Sequence, residues 1–332
     1  MFSRRVPALH RRPRLPAARR RHLAAGLALL LGLLSGAAIN GWRWLPTGNV
    51  VIGQVQGGAA GLPESAPLSG RVLVISPHPD DETLAVGGII QDVLNRGGQV
   101  DIVFLTSGDG FAWDARATEK KPVVRASDLL RLGEARMNEA TQAAQVLGVD
   151  RAHVTFLGFP DKGLQRIYLQ NYLTPYTSRQ TGMNRVPYQR ALHPGTPYTG
   201  QELERQMNEL LTRLHPDIVL APSVRDHHPD HQVAAFLAGR LAPQHHARLY
   251  AYMVHGGVEW PLPKGNHPQL PLSPPSRSVD GQSWQRYPLS AAQEQRKAQA
   301  VSMYHSQLQI IPRFMQAFVR TNELLLPVPV QP

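Results

Sequence analysis

The sequence contains no cysteine. Disulfide bonds, thiolate nucleophiles and thiolate metal ligands are therefore excluded, and any metal site has to use histidine and carboxylate ligands. Acidic residues are also missing from the first 63 positions, because Glu64 is the first in the chain. The first predicted strand is not followed by a GxGxxG motif, so the chain lacks the first requirement of a dinucleotide-binding site.

The formal net charge of +11 comes mostly from the N-terminus. Residues 1–22 hold eight arginines and no acid, and the remaining residues carry a formal net charge of only +3. The basic charge therefore belongs to a short tail. We expect no nucleic-acid partner for the folded part of the chain.

Residues 23–39 form an uncharged apolar run, LAAGLALLLGLLSGAAI. As a helix this run would be roughly 25 Å long, which is close to the thickness of a membrane core. The arginines before it predict a cytoplasmic tail over 1–22, a transmembrane anchor over 23–39 and a catalytic domain outside the cytoplasm. A cleaved signal peptide is the alternative, because Gly36, Ala37 and Ala38 offer a peptidase site, and the protein would then be secreted.

Residues 40–70 are rich in glycine, proline and small residues and are predicted to be a linker. Short apolar strands then alternate with amphipathic helices from residue 71 to about 310, with a long insert over 163–200. This alternation predicts an α/β domain over 71–312, built on a single doubly wound, mainly parallel, Rossmann-like sheet with helices on both faces. Residues 313–332 are predicted to be a C-terminal tail.

Two clusters of polar residues directly follow predicted buried strands. The first is Ser76-Pro77-His78-Pro79-Asp80-Asp81-Glu82, and the second is Asp226-His227-His228-Pro229-Asp230-His231. The carboxyl ends of parallel strands lie at one edge of a sheet, so we expect the clusters to meet near a topological switch point. Two imidazoles and a carboxylate with an open fourth position are typical of a catalytic zinc site.

The string SPHPDDE followed far downstream by HPDH resembles the PIG-L or LmbE-like family of zinc-dependent N-deacetylases. Weaker motifs of the same family follow in order, and the resemblance covers about residues 71–310. These motifs are Ser107 to Gly110, Arg131 to Ala135, Phe156 to Asp161 and Tyr304 to Gln307.

The resemblance implies roles for individual residues. Zinc would be held by His78, Asp81 and His231, although the same set also suits Fe(II) or Co(II). Asp80 would be the general base, with an N-cap of the following helix as its alternative role. His228 would stabilise or protonate the reacting group as an imidazolium oriented by Asp230. Three further residues are proposed to contact the substrate: Arg131, Asp161 and His255.

The expected substrate is an N-acetylglucosamine-type amino sugar in a glycan or glycolipid outside the cytoplasm. One alternative is a zinc amidase that acts on another N-acylated compound. A second alternative is a membrane-anchored glycan-binding protein without catalysis. The sequence does not indicate the oligomeric state.

Overall fold

The computed structural model describes residues 58–59, 61–111, 115–117, 123–257, 260–275 and 283–329. Its centre is one seven-stranded sheet with the strand order β3-β2-β1-β4-β5-β7-β6. The strands are β1 (Arg71–Ser76), β2 (Gln99–Thr106), β3 (Val154–Phe159), β4 (Ile218–Pro222), β5 (Arg248–Tyr252), β6 (Gln285–Pro288) and β7 (Asn322–Val328). β1 to β5 pair in parallel, whereas β7 runs antiparallel to both β5 and β6. The predicted mixed α/β architecture with a mainly parallel sheet is confirmed.

Helices cover the sheet between these strands. They are α1 (Asp81–Asn95), α2 (Ala126–Leu147), α3 (Leu164–Gln170), α4 (Gly200–Leu214), α5 (Pro229–Gln244), α6 (Ala291–Val301), α7 (His305–Leu308) and α8 (Pro312–Gln316), with a short 3-10 turn at Arg151–His153. α1, α2 and α6 pack together, and so do α3, α4 and α5. The chain moves from β1 to β3 in one direction and from β4 to β5 in the other. Right-handed crossovers therefore put the two helix groups on opposite faces.

The direction of winding reverses between β1 and β4, which pair in parallel with Val72 opposite Ile218. Both strands are buried apolar runs, as expected for the middle of a parallel sheet covered on two faces. The two polar clusters leave the sheet from these neighbouring strands at the same edge. This confirms the predicted switch point.

The prediction of a C-terminal tail from residue 313 is wrong, because this segment forms α8 and β7. The prolines near the C-terminus obscured the strand. Pro327 is tolerated because β6 pairs only with residues 322–325 of β7, while β5 pairs only with residues 326–328. At Pro327 the strand therefore has only β5 as a neighbour and is an edge strand on its other side. Proline is tolerated at such an edge, because it has no N–H to donate to a second neighbouring strand.

Two other segments are more ordered than the composition indicates. Within the predicted linker, the Ser65 N–H donates to Arg286 O at 2.9 Å and the Arg286 N–H donates to Pro63 O at 2.9 Å, so this part pairs with β6. The 163–200 insert buries several large side chains in the core. These are Leu164, Ile167, Tyr176, Val186, Tyr188 and Tyr198.

Among the described residues, no helix has both the length and the apolar character needed to span a membrane. The predicted anchor or signal over 23–39, and the basic tail before it, lie outside the described residues.

Candidate metal centre and active site

The loop after β1 holds its polar side chains in a fixed arrangement. Ser76 Oγ donates to His78 O at 2.7 Å, and Thr106 of the neighbouring strand donates to Pro77 O from its N–H and its hydroxyl. Asp80 has a φ of 131°, a region that side-chain-bearing residues rarely adopt. Its carboxylate makes no hydrogen bond that caps α1. Asp80 therefore occupies the N-cap position of α1 without capping the helix through its carboxylate, and backbone strain of this kind is typical of functional sites.

Three side-chain atoms from the two clusters converge at the switch point. His78 Nδ1 lies 3.1 Å from Asp81 Oδ2 and 3.2 Å from His231 Nε2, and His231 Nε2 lies 3.0 Å from Asp81 Oδ2. All three side chains are buried. We call these three residues the ligand triangle. They are the residues that the sequence proposes as metal ligands.

The second nitrogen of each histidine in the triangle faces a buried carboxylate. His78 Nε2 lies 3.3 Å from Asp161 Oδ1 and 3.4 Å from Asp230 Oδ2. His231 Nδ1 lies 3.1 Å from Asp226 Oδ2, although the alignment is too poor for a hydrogen bond. Histidine ligands of metals typically have such a carboxylate on the other nitrogen, which fixes the tautomer and raises the basicity of the ligand atom.

The buried carboxylates around the ligand triangle stabilise positive charge on its two histidines. Burial lowers the pKa of His231, but Asp226 and Asp81 outweigh burial and raise that pKa to about 9. Burial likewise lowers the pKa of His78. The carboxylates of Asp161, Asp230 and Asp81 outweigh burial and raise that pKa well above its usual value. Two nitrogens and one oxygen suit tetrahedral zinc, whose bonds of about 2.0–2.1 Å put ligand atoms roughly 3.4 Å apart. The residues present therefore fit a zinc ion.

Asp226 has a wider role that the sequence did not assign. Its Oδ1 accepts the His228 N–H at 2.9 Å, and its Oδ2 accepts the N–H groups of Val254 and His255 at 3.1 and 2.9 Å. The carboxylate thus joins the loop after β4 to the segment after β5. Its position directly after a buried strand is the only sequence signal that it gives.

Asp80 is paired with Arg136 of α2. Arg136 Nη2 lies 3.1 Å from Asp80 Oδ2 and 2.7 Å from Pro79 O, and Arg136 Nη1 donates to Gly108 O at 2.9 Å. Burial raises the pKa of Asp80 to about 8, and the guanidinium of Arg136 opposes that rise. Gly108 has a φ of 66°, and a Cβ there would lie 2.2 Å from Arg136 Nη1, so only glycine fits beneath the guanidinium.

Arg131 does not reach the pocket. Its half-exposed side chain pairs with the buried carboxylate of Asp128 in the first turn of α2. The structure gives no support to its predicted contact with substrate, and Arg136 is the arginine of this helix at the site. The helical pattern could have separated them, because Leu129, Leu132, Arg136 and Ala140 share the buried face of α2.

His228 and Asp230 are arranged differently from the prediction. The Asp230 N–H donates to His228 Nδ1 at 3.2 Å, so His228 caps α5 and receives no carboxylate from Asp230. The Asp230 carboxylate instead faces His78 and accepts the N–H groups of Lys162 and Leu164 at 2.7 and 3.0 Å. Burial, together with the charges of His78, His231 and His255, lowers the pKa of His228 to about 2. Asp230 therefore does not supply the predicted support for an imidazolium at His228, and burial favours the neutral ring.

The other two predicted substrate contacts reach the pocket. Asp161 is buried beside His78 and accepts the Gly110 N–H at 3.1 Å. The ring of His255 packs against His231 at 4.7 Å and stacks on Phe314 at 6.0 Å. His227, from the second polar cluster, is exposed and lines the pocket.

The cavity in front of the ligand triangle has a volume of about 390 Å³. The charged groups that line it are His78, Asp80, Asp81, Arg136, Asp161 and Lys162, and His228 lines it as well. The apolar lining residues are Leu84, Phe111, Val254, Ile311 and Phe314, of which Phe314 belongs to the segment predicted to be a C-terminal tail. Gln307, in the predicted Tyr304 to Gln307 motif, also lines the cavity.

The insert supports the site from behind. Tyr188 Oη donates to Asp109 Oδ2 at 2.8 Å, and Asp109 Oδ1 accepts the Asp161 N–H at 3.1 Å. Burial raises the pKa of Asp109 to about 6. The insert therefore holds Asp161 through one buried carboxylate. No sequence motif links Tyr188 to this role.

Residues 73–242, just over half of the chain, match the family model of PIG-L, the GlcNAc-PI de-N-acetylases. The chain belongs to this family. It is 26% identical over 170 residues to the diacetylchitobiose deacetylase of Thermococcus kodakarensis. That alignment covers 50% of this chain and 47% of that protein. It is 29% identical over 187 residues to the 1D-myo-inositol 2-acetamido-2-deoxy-alpha-D-glucopyranoside deacetylase of Corynebacterium efficiens, covering 52% of this chain and 51% of that protein.

These alignments span about half the length of the curated relatives. Among solved structures, the zinc-inhibited form of a teicoplanin deacetylase matches with a TM-score of 0.52 and 17% identity, covering 77% of this chain and 97% of that one. At that identity the likeness concerns the fold alone. It agrees with the single mixed sheet and the helices on both of its faces.

Proposed function

We propose that this protein is a zinc-dependent hydrolase that removes the N-acetyl group from an N-acetylglucosamine-type amino sugar. The observation that carries the proposal is the ligand triangle, whose two histidines each have a buried carboxylate on the second nitrogen. The deacetylase names of the relatives support the same reaction. Zinc bound there would supply a polarised water and a Lewis acid for the amide carbonyl, and its charge would favour the ionised form of Asp80.

The residues around the triangle have complementary tasks. Asp80 accepts the proton of the attacking water and passes it to the departing amine. Arg136 holds the Asp80 carboxylate and favours its ionised form. His228 Nδ1 accepts the Asp230 N–H, so the neutral ring carries its proton on Nε2 and can donate it as a hydrogen bond to the developing oxyanion. This neutral donor replaces the imidazolium expected from the sequence.

The test is acetate release by the full chain from N-acetylglucosamine and diacetylchitobiose, with Asp80→Asn as the matched variant. We expect release by the wild-type protein and a loss of about 10²-fold or more in Asp80→Asn at unchanged zinc content. A wild-type protein that binds these sugars without releasing acetate, and a variant with the same biological effect, would support the non-catalytic glycan-binding alternative instead.

An amidase that acts on another N-acylated compound is the second candidate. The apolar lining residues Phe111, Ile311 and Phe314 favour it, because such side chains can hold a larger acyl or aglycone group. A panel of N-acyl glucosamines and N-acyl amino acids separates the two candidates. A preference for an acylated amino acid over every amino sugar would favour the amidase.

We further propose that the protein acts outside the cytoplasm, anchored by residues 23–39 or secreted after cleavage there. The arginines before this apolar run support the orientation. Protease treatment of spheroplasts, with immunodetection of the C-terminus in the cells and in the medium, tests it. A C-terminus that is absent from the medium and fully protected in spheroplasts, with digestion after lysis, would contradict it.

A further inference from the structure

Helix α1, which carries Asp81, is interrupted one turn after it begins. Val86 has non-helical angles, with φ at −137° and ψ at 18°, so that a first turn precedes the break and the longer part of the helix follows it. A break of this kind removes backbone hydrogen bonds inside the helix, and buried groups left without partners are costly. All residues from Asp81 to Ile90 are buried, so water cannot replace those bonds.

Two charged side chains from distant elements take over the exposed backbone groups. Lys297 of α6 donates from Nζ to Leu84 O at 2.8 Å, at the end of the first turn. Glu323 of β7 accepts the N–H groups of Gly88 and Ile89 at 2.7 and 2.9 Å, at the start of the second part. Lys297 Nζ lies 2.6 Å from Glu323 Oε1, and both side chains are fully buried.

Each charge matches the helix end that it contacts, since an ammonium favours a carbonyl end and a carboxylate favours an N–H end. A buried ion pair is by itself weak evidence for stability, because desolvation offsets the attraction. Its position is informative because it fixes the direction in which the first turn leaves the rest of the helix. That turn carries Asp81 of the ligand triangle and Leu84 of the pocket wall.

We propose that Lys297 and Glu323 are positioning residues for the metal centre, which hold the broken helix so that Asp81 meets His78 and His231. This inference rests on the proposed zinc-dependent function. Neither residue lies in a motif, and Glu323 belongs to the strand that the sequence treated as a tail.

The experiment compares Glu323→Gln with Val93→Ala in the full chain. The glutamine keeps the volume but loses one of two acceptors for the Gly88 and Ile89 N–H groups. Val93 is fully buried in the same helix beyond the break, so Val93→Ala controls for a general loss of stability. For each protein, the zinc dissociation constant is measured by competition with a chelator, with Tm and kcat on an N-acetylated amino sugar.

We expect Glu323→Gln to weaken zinc binding and lower kcat by about tenfold or more, as for residues that orient metal ligands. Val93→Ala should lower Tm, while its zinc dissociation constant and its kcat stay within about twofold of the wild-type values. If Glu323→Gln does not fold, the neutral pair Lys297→Met with Glu323→Gln is tested in the same way. Zinc affinity and kcat that match those of Val93→Ala would overturn the positioning role. Absence of zinc binding by the wild-type protein would instead refute the proposed function, so the two failures are distinguishable.

Discussion

Replacing Arg136 with methionine should lower both activity and stability. The guanidinium makes hydrogen bonds to Gly108 O, Pro79 O and Asp80 Oδ2, and only 3% of the residue is exposed. Methionine keeps much of the apolar volume but leaves two carbonyls and a carboxylate without this donor. Breaking a buried ion pair of this kind costs about 3–5 kcal/mol in the free energy of unfolding.

Arg136→Met should also shift the pH dependence of kcat in one direction. The positive charge of Arg136 lowers the pKa of Asp80 against the effect of burial. Its removal raises that pKa by about 1–3 units. A base has to be ionised to act, so the acidic limb of the kcat profile moves to higher pH by the same amount.

The assay is kcat for acetate release against pH, measured beside urea unfolding. Arg131→Met is the matched control because Arg131 lies on the same helix with its half-exposed side chain paired to Asp128. We expect Arg131→Met to keep the wild-type profile, because its guanidinium pairs with Asp128 rather than with Asp80. An unshifted acidic limb in Arg136→Met, at any loss of stability, would refute the proposed effect of Arg136 on Asp80.

Three further outcomes are expected. Asp226→Asn should weaken zinc binding about 10–100-fold in a chelator competition, because the carboxylate facing His231 is lost; unchanged affinity would contradict this. Tyr188→Phe should raise KM more than it changes zinc affinity, since the Tyr188 hydroxyl acts on Asp161 through Asp109; an equal loss of both would argue against it. Burial raises the pKa of Asp109 from 3.8 to about 6, so folding favours the protonated carboxyl. This contribution to the free energy of unfolding is fully present below pH 3.8 and is lost as the pH rises through about 6. Asparagine does not titrate, so between about pH 4 and pH 7 the free energy of unfolding of Asp109→Asn, measured with urea, should rise by roughly 2–3 kcal/mol relative to that of the wild-type protein. A difference between the two proteins that does not change with pH would contradict the raised pKa.

The parallel part of the fold and the metal ligands could be predicted from the sequence because their signals are local. β1 and β4 are short apolar runs, and each is followed at once by its polar cluster. Parallel pairing then leaves one edge where His78, Asp81 and His231 can meet.

The antiparallel end of the sheet could not be predicted in the same way. β6 and β7 contain prolines and depend on pairing between segments that are distant in sequence. The break in α1 was missed for a similar reason, because the groups that satisfy it come from α6 and β7.

Side-chain orientation accounts for the remaining differences. A motif names Asp230 and His228 together, but the helix start at Pro229 turns the Asp230 carboxylate toward His78 and leaves only its N–H for His228. Arg131 and Arg136 are both arginines of one helix, and only the position of each on the buried or exposed face decides which one reaches Asp80.

The most direct measurement is acetate release from diacetylchitobiose by the full chain as purified, after chelation and after zinc is added back, with the zinc content determined in each state. We predict about one zinc per chain in the active protein, loss of acetate release on chelation and its return with zinc. Acetate release that survives complete removal of the metal, or a folded protein that binds no zinc, would contradict the assignment of His78, Asp81 and His231 as the metal centre.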